Sequence, residues 1–253
     1  MLYDSLRKIA KQMAKSAIPY TYGRHHFKSW VRQYVEEKKL KQAYILDIGC
    51  GKGDDLINVS QDLAVDTQLF GIEYYSEYRS LCIEKGITAV NCNIEQDALP
   101  FDSQSMDVVM INQVIEHTKD TFWCLSEISR VLKPNGILLL GIPNLAAWHD
   151  RFALLLGQQP TSIHFPGPHV RGITKRGMIT FTELDGYFKL LHFKGSAFYP
   201  LPGKLGQFFA RFFPSLATSI FFCFKKTEKE GLYIDVLKSR FYETNYYQGP
   251  DPT

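Results

Sequence analysis

Residues 44–54, YILDIGCGKGD, constrain this chain more than any other stretch. An apolar run suited to one buried strand ends in glycines at alternate positions, Gly49, Gly51 and Gly53, and the pattern then turns helical. Glycine is needed where a turn demands positive φ and where a ligand must approach the backbone with no Cβ in the way. Strand, glycine loop and helix in that order open an open α/β sheet. Ligands of such sheets sit beyond the carboxyl ends of the strands, at the point where strand order reverses.

The pattern downstream supports that architecture. Short apolar runs alternate with helical segments, the signature of a parallel sheet with crossover helices. It predicts strands at 44–48, 68–73, 88–91, 106–112 and 136–142, with helices at about 53–63, 76–85 and 119–132. The last helix ends in VLKPNG, where Pro134 stops it and Asn135-Gly136 turns into the next strand. Beyond residue 142 the alternation breaks. Residues 143–173 hold four prolines together with His149, His164 and His169. A helix over 174–187 follows, then apolar runs near 190–199 and 218–224 suited to an antiparallel pair that closes the sheet. The expected fold class is therefore α/β, a doubly wound, seven-stranded, mostly parallel sheet. An N-terminal helical cover is expected over 1–42, from helices at 1–18 and 27–40. The main domain spans 43–226, with 143–173 as a substrate-shaping insert, and 227–253 is a tail without an assigned pattern.

Composition excludes several function classes. With 29 basic and 26 acidic residues the net charge is +3, too small a surplus for a nucleic-acid partner. The five cysteines form no CxxC pair, so neither a disulfide framework nor a zinc site is expected. No secretory signal is evident at the N-terminus, which points to a cytoplasmic protein with reduced thiols. The Phe-rich stretch 208–224 contains Arg211 and Pro214 and falls short of the roughly 20 apolar residues of a spanning helix. It reads as a helix ending before Pro214 followed by a buried strand, with peripheral membrane contact as the alternative.

Two ligands compete for the glycine loop. A dinucleotide loop reads GxGxxG, and here the third glycine position is Asp54, whose charge opposes a pyrophosphate at a helix N-terminus. S-adenosylmethionine carries a sulfonium, an amino group and a carboxylate but no phosphate, so acids near the loop suit it. Glu73, at the tip of the second strand, stands where a carboxylate can accept hydrogen bonds from both ribose hydroxyls.

The phrases LDIGCGKGD, GIEYY, NIEQDALPFDSQSMDVVMINQVIEH and EISRVLKPNGILLLGIPN, in this order, resemble the class I S-adenosylmethionine-dependent methyltransferases. The similarity covers residues 44–144 and is closest to the subgroup of ubiquinone-biosynthesis O-methyltransferases and MetW-like proteins. It implies a Rossmann-like methyltransferase fold with Asp47, Gly49, Cys50, Gly51 and Gly53 around the methionine part of the cofactor. Glu73 would hold the ribose, Tyr74 would pack near the adenine, and Asn93 and Ile94 would face the adenine edge. Asn112 and Gln113 would lie beside the sulfonium. Asn93 departs from the family's usual acid, and its side-chain oxygen still accepts a hydrogen bond. Some members of the subgroup carry Glu-x-x-Glu-His at the end of the fourth strand and bind a divalent cation. This chain reads Gln113-Val114-Ile115-Glu116-His117, and the amide is a poorer ligand for a hard cation, so no tightly bound metal is expected.

The resemblance implies methyl transfer to a small molecule, with oxygen as the acceptor atom. Deprotonating a hydroxyl near neutral pH suits histidine. His117 is the first candidate base, and His149, His164 and His169 in the insert are the others. His25, His26 and His192 read as surface or structural. Tyr20, Tyr22, His26, Trp148 and Phe165 are candidates for an aromatic acceptor pocket. A nicotinamide-dependent oxidoreductase, a non-catalytic cofactor-binding regulator acting through a partner, and a macromolecule methyltransferase are the rivals. No Asn-Pro-Pro-Tyr-type tetrapeptide of amino-methylating enzymes follows the fourth strand.

Overall fold

Strand β1 (Gln42–Ile48) is buried along most of its length because it pairs on both edges, in parallel, with β2 (Asp66–Ile72) and β4 (Met106–Asn112). The structure is a computed structural model that describes residues 23–240, 242–243 and 245–249. The helix expected over 1–18 lies outside the described residues. Seven strands form one sheet in the order β3-β2-β1-β4-β5-β7-β6. Here β3 is Thr88–Val90, β5 Leu132–Pro143, β6 Phe188–Ser196 and β7 Ser219–Lys226. Strands β3 to β5 are parallel neighbours, and β7 inserts antiparallel between β5 and β6. This is the doubly wound sheet read from the sequence. Successive crossovers carry the chain outward from β1 to β3 and then return it to β4 on the other side of β1. The loops leaving β1 and β4 therefore diverge, and a crevice opens between them.

Helices cover both faces. On one, α1 (Arg24–Lys38) and α2 (Asp54–Ser60) place Phe27, Trp30, Val31, Leu56 and Val59 against Ile45, Met110 and Phe221. Helix α3 (Ser76–Glu84) adds Cys82 to the same layer. On the other face, α4 (Thr121–Val131) packs Phe122, Leu125 and Ile128 on Leu46, Val109 and Phe222. Each fully buried side chain of this size stabilises the fold by about 1.5–3 kcal/mol relative to exposure.

Two expected boundaries shift, for local reasons. Helix α4 ends at Val131 because Leu132 already pairs with Met106, so Pro134 lies in a register shift within β5 rather than at the helix end. The helix expected over 174–187 stops early, at α6 (Lys175–Thr182). Thr174 caps its start, its Oγ1 accepting from the Gly177 N–H at 3.1 Å. Beyond it, Asp185 adopts a left-handed conformation (φ 50°), and the Glu183 carboxylate accepts from the backbone N–H of Leu190 at 2.8 Å, turning the chain into β6. The insert carries α5 (Trp148–Leu155), and α7 (Gly203–Phe212) precedes Pro214 as expected. The tail contributes a 3-10 turn, Tyr233–Ser239, whose Tyr233 is fully buried and donates to the Phe181 carbonyl. Among the described residues no helix is long and apolar enough to cross a membrane.

Candidate functional site

The crevice at the switch point is a cleft of about 310 Å³. The glycine loop supplies Asp47, Gly49, Cys50 and Gly51, and the end of β4 supplies Asn112 and Gln113. The loop follows from the sequence directly. The N–H groups of Gly49 and Cys50 both donate to the Ile72 carbonyl, at 2.8 and 3.0 Å, which bends the chain off the end of β1. Gly49 has φ 72°, and a Cβ there would lie 2.4 Å from Cγ2 of Val114. At Gly51 a Cβ would meet nothing within 4 Å, so the backbone itself faces the open cleft. Gly53 turns the other way, towards Ile87, and its N–H closes the turn on the Cys50 carbonyl at 2.9 Å.

Glu73 ties this loop to the second strand. One carboxylate oxygen accepts from the Gly51 N–H and the other from the Tyr75 N–H, each at 2.9 Å. Both oxygens keep lone pairs for further donors. Burial, reinforced by the Asp55 carboxylate, holds the Asp47 carboxyl well above the usual carboxylate range. Burial also pushes the Cys50 thiol up, and its sulfur packs 3.7 Å from that of Cys82, so it is a packing group rather than a nucleophile.

Arg24, Lys52 and Asp55 line the cleft and escaped the sequence reading. Asp55 accepts from the Asn112 side-chain amide at 2.8 Å and pairs with Arg24, which reaches the cleft from the start of α1. Asp55 carried a weak signal, being the second acid of the Asp54-Asp55 pair. Arg24 carried none, because nothing local ties α1 to the loop. Asp54, which separated this loop from a dinucleotide loop, pairs with Lys85 at 2.8 Å.

Gln113 has φ 57° and donates its backbone N–H to the Gly141 carbonyl at 2.8 Å. Its side-chain Nε2 is buried in the cleft wall without a partner among the described residues. Such a donor costs about 1–3 kcal/mol until an acceptor arrives, and a polar ligand in the cleft supplies one. The fit to a cationic, hydroxyl-rich cofactor rests on this donor, the open backbone at Gly51 and the carboxylates of Asp47, Asp55 and Glu73.

The adenine-side candidates lie outside that cleft. Tyr74 is exposed, and Ile94 packs on the core. The side-chain oxygen of Asn93 accepts from the Glu95 N–H at 3.1 Å, so it is partly engaged by its own turn.

The histidines separate into two groups. His117 and His169 meet edge to face, ring centres 4.8 Å apart, beside the buried Glu116. Nδ1 of His117 lies 3.1 Å from the Pro168 carbonyl, and Nδ1 of His169 lies 2.8 Å from the Ser162 carbonyl. The insert is pinned there, since the backbone carbonyl of Glu116 accepts from the Val170 N–H at 2.9 Å. Neither carboxylate oxygen of Glu116 has a partner among the described residues, and burial pushes this carboxyl up to about 7. One ligand atom from each of Glu116, His117 and His169 falls within 4.8 Å of the others, a set that could hold a cation. Gln113 is not part of it. The sequence placed Glu116 and His117 side by side after the fourth strand; His169 joins them only through the fold.

His149 and His164 do not join this pair. His149 lies against Thr161, at 3.1 Å, and Tyr199, and burial lowers its pKa. His164 is exposed. The aromatic pocket expected from His26, Trp148 and Phe165 does not assemble either. His26 packs on Trp30 and Phe221, Trp148 stacks on Phe198, and Phe165 points outward. Tyr20 and Tyr22 lie outside the described residues. His192 stacks on Trp30, a structural role.

The family model described as "Methyltransferase domain" matches residues 46–140, from β1 through most of β5, the segment that builds the cleft. Over that segment the chain is similar to methyltransferase domains, and the match spans less than half of its length. A demethylmenaquinone methyltransferase of Lactococcus lactis subsp. lactis is 34% identical over 97 residues, covering 36% of this chain and 38% of the relative. One from Staphylococcus aureus (strain MRSA252) is 28% identical over 134 residues, covering 50% and 56%. The chain thus spans about half or less of the length of these relatives. The crystal structure of an S-adenosylmethionine-dependent methyltransferase from Archaeoglobus fulgidus shares the fold of this chain. Its TM-score is 0.54 at 16% identity, over 80% of this chain and 94% of that one.

Proposed function

We propose that this protein transfers a methyl group from S-adenosylmethionine to a small-molecule acceptor, at oxygen. The observation that carries the reading is the cleft at the end of β1, where three carboxylates and an unpartnered amide donor surround an open glycine backbone. The curated relatives named as demethylmenaquinone methyltransferases favour a small organic acceptor over a macromolecule.

When bound, the cofactor supplies an activated methyl on a positively charged sulfur. Asp47, Asp55 and Glu73 make the cleft favourable to that charge and to the neighbouring ammonium. Glu73 would also accept from the ribose hydroxyls, and Arg24 would pair with the α-carboxylate. Tyr74, Asn93 and Ile94 border the adenine. Asn112 and Gln113 align the reacting end, and alignment with exclusion of water accounts for most of the rate. His117 would take the proton of the acceptor's hydroxyl as general base. His169 orients the His117 ring.

Isothermal titration with S-adenosylmethionine and with its demethylated product tests the cofactor half of the proposal. Micromolar dissociation constants for both are expected, and no heat below millimolar ligand overturns it. Transfer of a labelled methyl group to compounds in a metabolite extract, abolished in His117→Ala, tests the catalytic half.

A further inference from the structure

Helix α7 is built inside out. It buries its smallest residues, Gly206 and Ala210, the latter only 1% exposed, and turns its largest outward, with Phe208 57% and Phe212 61% exposed. The close approach that makes this work requires glycine, since a Cβ at Gly206 would lie 2.7 Å from the Leu201 carbonyl. Leu205, Phe208 and Phe212, at spacings of three and four, form one exposed apolar stripe. Lys204, Gln207 and Arg211 form a second stripe beside it, polar and basic.

The apolar face continues onto α5. That helix also buries only Asp150 and Ala153, while Phe152, Leu155 (79% exposed) and Leu156 face outward. Trp148 of α5 stacks on Phe198, at 6.1 Å, and Phe198 packs on Phe209 of α7, at 5.6 Å, so the two helices share one aromatic seam. An exposed apolar surface spread over two helices is more than the scattered apolar residues of an ordinary surface.

Charge says what covers it. Behind the basic stripe lies a cavity of about 500 Å³ whose lining includes Lys194, Lys204, Arg211, His25 and His26, with Phe208 at its edge and no acidic residue among the described ones. An apolar stripe with cations alongside is the pattern of a helix lying in the plane of a bilayer surface. An anionic lipid surface presents acyl chains and phosphates together, which complements an apolar stripe beside a basic pocket. A protein partner would have to match the apolar stripe and also extend an acidic group into the cavity.

We propose that α7, with α5 beside it, docks this protein on an anionic membrane surface, the basic cavity receiving a lipid phosphate. The docking face is separate from the cofactor cleft, so the inference stands whether or not the methyl-transfer reading holds.

Co-sedimentation of the full chain with vesicles tests it. Binding to vesicles of phosphatidylcholine containing phosphatidylglycerol is expected, at least tenfold tighter than to phosphatidylcholine alone, and weakening as salt rises. The double variant Phe208→Ser/Phe212→Ser should lose binding at least tenfold. Lys204→Gln/Arg211→Gln should keep weak binding and lose the preference for the anionic lipid. Both should retain the parent's melting temperature and its affinity for S-adenosylmethionine. Failure to bind any vesicle overturns the proposal. So does unchanged binding by the Phe variant. A concentration-dependent dimer that the Phe variant abolishes, without vesicle binding, assigns the face to a second copy of the chain and overturns it equally.

Discussion

The two ends of this molecule's sheet are constructed on opposite rules. Around β1, β2 and β4 most large apolar side chains point inward, and the carboxylates of Glu73 and Asp55 are held by the backbone or by other side chains. Glu73 fastens two backbone N–H groups, and Asp55 fastens Asn112 and Arg24. Around the insert and α7, helices bury small residues and expose large ones, and Glu116 sits buried without a hydrogen-bond partner among the described residues. The first region packs as an ordinary protein core, with the buried Gln113 Nε2 left without a partner among the described residues. The second leaves unsatisfied surface and unsatisfied charge, the usual state of a region whose remaining contacts come from something other than its own chain.

The comparison is sharpest where turnover is separated from binding. His117→Ala should lower turnover by about 10³-fold, within the range for loss of a general base, and leave the cofactor's dissociation constant within about twofold. Steady-state kinetics beside calorimetry would show it. If cofactor affinity fell instead, the two regions would not be independent. His169→Ala should produce a smaller loss of turnover with the same unchanged affinity.

Next comes the rigid side. Gly49→Ala should cost about 3 kcal/mol of stability, because strain at positive φ adds to the collision with Val114. Thermal unfolding measures it, and an unchanged melting temperature would show that the loop is less tightly specified than its geometry states. Glu73→Ala should weaken cofactor binding by about 30-fold, near 2 kcal/mol, since it strips an acceptor from two backbone N–H groups as well as from the ligand. Calorimetry should place Glu73→Gln between this variant and the parent.

Asp47 supplies a test of opposite sign. Its folded-state pKa is raised, so the stability linked to its neutral form is full below the unfolded value of 3.8 and is lost as pH rises through the folded value. Asp47→Asn should therefore stabilise the cofactor-free protein by about 1 kcal/mol at neutral pH while weakening cofactor binding. Denaturant melts across pH would reveal a flatter decline above pH 4. A variant that lost stability as well as affinity would refute this account of the carboxyl.

The smallest effect belongs to His26, whose pKa burial lowers from 6.5 to about 4. A depressed histidine contributes stability at neutral pH that is lost as pH falls from about 6.5 through 4. After discounting for partial exposure, about 1 kcal/mol is at stake. His26→Phe should remove that acid sensitivity in urea melts at pH 7 and pH 5.

The sequence was most legible where function and local backbone geometry coincide. Gly49 and Gly51 announce themselves because glycine adopts positive φ most readily at the end of a buried strand, and Glu73 is found by counting from them. Gln113 was legible as a residue at the strand end, but its buried, unpartnered amide was not. Arg24, Asp55 and His169 were illegible for a different reason. Each acts through a partner 31, 57 or 52 residues away (Asp55, Asn112 and His117), and no local pattern records such a meeting. The expected aromatic pocket failed the same way: aromatic type is visible in a sequence, whereas the direction in which Phe165 or Trp148 points depends on packing.

Alternation of apolar runs and helices, with glycines at one strand end, by itself determined the sheet, its order around β1 and the place of the cleft. Those follow from short-range periodicity and backbone sterics, which the chain carries in its own local order. Only the tertiary structure decided which histidines face each other, that α1 lends an arginine to the cleft, and that α7 turns its phenylalanines outward. The sequence read 208–224 as a helix ending before Pro214 and a buried strand, without saying which face that helix turns to the core. In the fold, β7 is buried and α7 is not, because Gly206 and Ala210 let that helix approach the sheet by its narrow side.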